Sequence, residues 1–362
     1  MLCLEKLSQL INSQVEDSSW KPFRMRRNGL KISHLCFADD MLLFTEASMD
    51  QLERVTKCLD IFCAASGQKV NITKTKVLFS KNVSASLAED ISRRSGFQIT
   101  KDMGKYLGVP LLHQKVTKNT YSYLIENMQK KLAGWKASSL SLAGKITLCK
   151  SVLSTIPLYP MQAAVIPKHT CYEIEKICRR FIWGQQEGRD KIHLVNWNKM
   201  CQPKEEGGMR LKKMKSMNRA FLMKLAWGMM KENHLWVKVL KDKYMSNRRS
   251  EGNPVVVPSD SMLWKAICKE WDKVNQNATW NVGNGKRTLF WRDSWLESYG
   301  PIINHLEREV QVQTLDYTVA DMVDYRGNWK WDVFAHLIPM QIVMSIDGYI
   351  PPAQDGISDT VV

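Results

Sequence analysis

Two short apolar runs, Ile32–Phe37 and Met41–Thr45, are separated only by Ala38-Asp39-Asp40. Each run has strand length, and so short a polar break lets them pair as a β-hairpin with the acids at its tip. Carboxylates are costly to bury without a partner. The pair is therefore a solvated turn or a holder of positive charge.

The flanking segments extend this reading. Leu4, Leu7, Leu10 and Ile11 lie at helical spacing, and Phe23–Gly29 is an extended piece ending in an Asn-Gly turn signal. Ser48 with Gln51 three residues on reads as a capping box, followed by an apolar stripe of Leu52, Val55, Leu59, Phe62 and Cys63 and by Gly67 as the stop. A strand is expected over Lys76–Ser80 and a second hairpin over Tyr106–Leu112, broken by Gly108 and Pro110. From Thr117 the texture becomes helical, with stripes at Tyr121, Leu124, Ile125, Met128 and Leu132, then at Leu142, Ile146, Leu148 or Cys149, and Leu153. Tyr172–Trp183 and Leu211–Met230 follow the same period, and beyond Gly252 the chain is rich in Trp and turns. The fold class is α+β. The expected divisions are residues 1–115, a basic helical region 116–250 and a Trp-rich segment 251–362.

Charge follows the same divisions. The formal net charge is +16, yet Lys101–Ser250 holds 29 Lys and Arg against 10 Asp and Glu, while the rest holds 23 against 26. Lys130, Lys131, Lys136, Lys145 and Lys150 lie opposite the apolar stripes. A surface this basic attracts polyanions, of which nucleic acid is the commonest. No apolar run reaches the length of a membrane span, and the first residues have no basic leader or cleavage site, so an intracellular setting is expected, with the nucleus suited to a nucleic-acid partner. Nine scattered cysteines with no CxxC fit reduced thiols, and the spacing of His169, Cys171 and Cys178 fits no common zinc site.

Two carboxylates delivered by strands are a suitable start for Mg²⁺, which takes hard oxygen ligands and keeps waters for substrate phosphates. Adjacent strand residues point to opposite sides, so Asp39 would be the direct ligand and Asp40 the weaker one. Two-ion phosphoryl transfer needs at least one more carboxylate. Local sequence leaves turn and metal site equally open. Gly283-Asn284-Gly285-Lys286 lacks the GxxxxGK[ST] spacing of a phosphate loop, and no nucleophile triad is suggested by spacing.

The blocks ISHLCFADDMLLF, SGQKVNITKTKVLFS and KYLGVPL, in this order, resemble the second half of the palm of a reverse transcriptase of the non-LTR (LINE-type) retrotransposon family. The later LAGWKASSLSLAGKITLCKSVLSTIPLYPMQ and GNGKRTLFWRDSW resemble plant members of that family often labelled as ribonuclease H proteins. This resemblance implies RNA-directed DNA polymerase chemistry with two Mg²⁺ ions, an RNA template and a DNA primer. It implies that Asp39 and Asp40 are the palm's metal pair and that Lys74 sits near the incoming nucleotide's phosphates. Tyr106, Leu107 and Gly108 would form the primer-grip hairpin, and the basic helices a thumb that grips the phosphate backbone, with Trp135 as a possible stacking platform or core residue.

The departures from the family pattern are as informative. Neither the upstream palm aspartate, the fingers, the zinc segment nor a ribonuclease H constellation is found, and Glu5, Glu16 and Asp17 lie in no comparable strand context. The expectation is a reverse-transcriptase fragment with little or no polymerase activity. The alternatives are a non-catalytic nucleic-acid-binding remnant and a non-functional pseudogene product.

Overall fold

The structure is a computed structural model that describes residues 2–111, 116–134, 140–184, 192–231, 233–246, 254–308, 315–353 and 355–362, with only the backbone of Leu2 and Lys118. It divides into two compact units, Met1–Thr117 and Lys118–Val362. The class is α+β, with short two-stranded sheets and many helices.

The first unit opens with helix α1, Leu2–Glu16. Its Leu7 and Ile11 are buried with Trp20 and with Val55 and Cys58 of helix α2, Met49–Ser66. Strands β1 (Phe23–Arg24) and β2 (Lys31–Ile32) pair antiparallel around the Asn-Gly turn. Next come β3 (His34–Phe37) and β4 (Asp40–Leu43), the expected acidic hairpin. Met41 and Leu43 pack against the α1–α2 core. Strand β5 is only Lys76–Val77, shorter than the expected Lys76–Ser80, and it pairs in parallel with β6, Gln98–Ile99. Helix α3, Ala85–Ser95, connects them as a compact βαβ unit. Strands β7 (Lys105–Tyr106) and β8 (Val109–Pro110) close the unit.

Ser48 caps α2 as its sequence predicts, with its hydroxyl accepting from the Gln51 backbone N–H, and Gly67 ends the helix at φ 71°. The other half of the capping box is not made. The Gln51 side chain is buried and turned to the preceding loop instead, where it accepts from the Lys21 N–H and the Thr45 hydroxyl and donates to the Ser19 carbonyl, each at 2.8 Å. The loop 19–21 would otherwise leave buried backbone groups without partners, and that demand outweighs the cap.

The second unit begins with α4 (Ser122–Ala133) and α5 (Leu142–Leu148), the latter running into a π-helical turn, Cys149–Leu153. Burial settles the stripe left open by sequence: Cys149 is inside with Ile146 and Leu153, while Leu148 is only partly covered. Helices α6 (Leu158–Met161), α7 (Lys168–Trp183) and α8 (Trp197–Met200) lead to the long α9, Met214–Lys231. Helix α10 (Leu235–Tyr244) and α11 (Met262–Gln276) follow, and α11 packs along α9. Leu222, Ala226 and Met229 of α9 share a core with Trp264, Ile267 and Trp271 of α11, so residues on both sides of position 250 build one interior. A buried Glu270 accepts from Arg219 at 2.6 Å across this interface.

The Trp-rich segment is a core in its own right. Phe290, Trp291, Trp295, Trp329 and Phe334 are buried with Ile342 and Ile346, from α12 (Trp331–Phe334), α13 (Met340–Asp347) and the loops around them. Strand β9, Trp280–Asn281, pairs with the carboxy-terminal β10, Thr360–Val361.

Candidate active site

Register fixes the acidic hairpin. Phe37 faces Asp40 across the strands, leaving Ala38 and Asp39 as a two-residue turn. Ala38 has φ 51°, the left-handed value that primed hairpin turns need at a central position. Because opposed residues share a face, His34, Cys36, Met41 and Leu43 form one side of the ribbon, and Leu35, Phe37, Asp40 and Leu42 the other. On the first side Met41 and Leu43 pack against the α1–α2 core, while Cys36 is exposed. Asp39 at the tip and Asp40 on the other side are both exposed, as is Phe37 at 60%.

Helix α1 acts on the first side. Burial holds the His34 imidazole below its usual pKa, partly opposed by the Glu5 carboxylate, and burial pushes the Cys36 thiol up. Glu5 therefore lies within electrostatic reach of His34 and Cys36 on β3. The sequence placed Glu5 in no site context, because His34 and Cys36 are far from it along the chain.

The second hairpin comes close to the first. Leu107 (φ 50°) and Gly108 (φ 80°) form a two-residue turn of the I′ pattern, with Lys105 opposite Pro110 and Tyr106 opposite Val109. The Tyr106 hydroxyl is held above its usual pKa by burial, with Asp40 and Cys36 adding their fields. Tyr106 and Asp40, named separately from sequence, thus lie within electrostatic reach of each other.

The other expected residues are less convergent. Lys74 is exposed in a tight turn whose backbone is pinned by Asn71: the Lys74 N–H donates to the Asn71 carbonyl at 3.1 Å and to its side chain at 3.2 Å. Lys130 and Lys131 are exposed in the last turn of α4, while Lys145 and Lys150 are half-buried on α5 and the π turn. Lys136 and Trp135 lie outside the described residues. Cys171 and Cys178 are buried on α7, and none of the nine cysteines forms a disulfide. Among the described residues no three His, Cys, Asp or Glu side chains group as a metal site, and no helix is long and apolar enough to cross a membrane. The donor chemistry of Asp39 and Asp40 suits a hard cation such as Mg²⁺. Their number does not satisfy a two-ion site.

Residues 1–111 match the family described as Reverse transcriptase (RNA-dependent DNA polymerase). Two relatives come from Arabidopsis thaliana. A "Putative ribonuclease H protein" is 34% identical over 234 residues, which are 64% of this chain and 37% of the relative. An "Uncharacterized mitochondrial protein" is 26% identical over 149 residues, 41% of this chain and 96% of the relative. The chain thus spans little more than a third of the first relative's length. These matches support a retroelement-derived, reverse-transcriptase-like chain.

Proposed function

We propose that the chain is a LINE-type reverse-transcriptase relative that holds nucleic acid through the basic helices of residues 116–250 and whose acidic hairpin does not by itself catalyse nucleotide transfer. Residues 1–115 act as palm and the basic helices as a thumb-like grip on template and primer phosphates. What carries the reading is the hairpin itself, with Asp39 and Asp40 exposed at its tip and no third ligating side chain grouped with them among the described residues. Two exposed carboxylates hold Mg²⁺ weakly, and a catalytic ion pair needs a ligand from the opposite wall. Lys74 would face nucleotide phosphates only in a completed site. The nucleus is the setting such a partner implies.

Primer extension on an RNA template with Mg²⁺ tests the reading. The expected product is none above background for the wild-type chain and for Asp39→Asn alike. Robust synthesis that Asp39→Asn abolishes overturns it, and makes the hairpin a working polymerase centre.

A further inference from the structure

The spacing of Gly283-Asn284-Gly285-Lys286 is not that of a phosphate loop, yet the fold bends this stretch into an anion cradle. The backbone N–H groups of Gly283 and Gly285 donate to Oδ1 of Asp359, each at 2.8 Å. Those of Arg287 and Thr288 donate to Oδ2 at 2.8 and 3.1 Å. Four N–H groups from a six-residue loop thus converge on one carboxylate, which is fully buried. Successive N–H groups aimed at one point are the physical basis of phosphate and anion recognition by loops. Burial pushes the Asp359 carboxyl up, but the N–H bonds outweigh it and its pKa is lowered.

The glycines are there because side chains would not fit. A Cβ on Gly283 would lie 2.0 Å from the Ile357 carbonyl oxygen, and Gly285 has φ +69° with the Ala320 nitrogen 2.7 Å from its would-be Cβ. The rim is cationic. The Arg287 guanidinium donates to the Asp359 and Met230 carbonyls and lies over the Trp280 ring. Half-buried Lys241 has Arg287 as a cationic neighbour, and Lys286 is exposed beside it. The carboxylate reaches this cradle on a short tail, paired as Thr360 with Asn281 and Val361 with Trp280.

We propose that the Gly283–Thr288 loop is an oxyanion-binding site whose resident ligand is the chain's own Asp359, and that phosphate occupies it when that carboxylate is withdrawn. The four donors are backbone N–H groups, so removing only the Asp359 side chain leaves them without an acceptor, and a tetrahedral oxyanion supplies acceptors for all of them. A phosphate dianion also suits the rim of Lys241, Lys286 and Arg287 better than a single carboxylate does.

The test is the full chain carrying Asp359→Gly, melted across a series of inorganic phosphate at constant ionic strength set with chloride. The variant is expected to melt below wild type, and phosphate to raise its Tm by several degrees while leaving wild type in place. Equal phosphate shifts in both proteins, or none in the variant, overturn the proposal. Should Asp359→Gly lack a cooperative melt, Asp359→Ala vacates the cradle without the added backbone freedom of glycine. Amide exchange over residues 283–288 is then compared with and without phosphate. Phosphate-dependent protection in Asp359→Ala but not wild type supports the site, and its absence overturns it.

Discussion

Single buried polar side chains determine much of how this chain responds to its surroundings, and Asp293 is the clearest case. Burial raises its pKa from 3.8 to about 6, although its carboxylate accepts from the Leu289 N–H at 2.8 Å. A raised acid binds its proton more tightly in the folded state, so its contribution is favourable below the unfolded value. Stability then falls as pH rises from about 4 to about 6, and the full penalty remains above that. Two pKa units correspond to about 3 kcal/mol at most. Asp293→Asn, which keeps the acceptor, is expected to raise stability at pH 7.5 by about 1–3 kcal/mol and to flatten the pH 4–6 slope in urea melts. An unchanged slope would assign that window to other groups. Gln51 works in the opposite direction. Gln51→Ala leaves the Lys21 N–H and the Ser19 carbonyl without their partner, and the Thr45 hydroxyl with only its longer bond to the Lys21 carbonyl. The expected loss is about 2–4 kcal/mol by the same melts, since buried groups left unpaired cost more than a hydrogen bond contributes. A loss under about 0.5 kcal/mol would mean that water takes over the loop.

At the scale of elements, the hairpins are set by their turns. Ala38 holds φ 51° without being glycine, at a cost of about 1–2 kcal/mol relative to ordinary backbone. Ala38→Gly removes that cost but adds unfolded-state entropy worth about 0.5–1 kcal/mol. The net expectation is a gain of about 0.5–1 kcal/mol in denaturant melts; a loss would show that the alanine methyl makes contacts worth more than the strain. The two flanking apolar runs made this hairpin legible, and Ser48 and Gly67 marked both ends of α2. The length of β5 was not legible, because Leu78, Phe79 and Ser80 have strand-like residue types but no partner strand there. Nor was the role of Gln51, since a capping box and a long-range clamp use the same residue at the same spacing. Asp359 and the glycine loop are 71–76 residues apart. Only the tail pairing of β10 with β9 brings them together, and no local pattern encodes it.

For the whole molecule, the charge distribution decides the partner more than any motif does. Its surplus of positive charge falls within Lys101–Ser250, whereas Asp39 and Asp40 sit on a separate hairpin of the first unit. The proposed grip and the acidic tip are therefore separable properties. Phosphate contacts release counterions, so each contact adds roughly 0.7–0.9 to the slope of log affinity against log salt. A grip of five or six contacts predicts affinity for single-stranded RNA or DNA falling by about 10²–10³-fold between 50 and 200 mM salt. Fluorescence anisotropy with a labelled oligonucleotide measures this directly. Asp39→Asn with Asp40→Asn is expected to leave both affinity and slope unchanged, because neither carboxylate belongs to the basic helices. Lys130→Ala with Lys131→Ala is expected to lower the slope by one to two, as loss of one or two phosphate contacts requires. A flat salt dependence would sink the nucleic-acid reading for the basic helices. A slope that changes with the aspartates would instead place the strand against the hairpin.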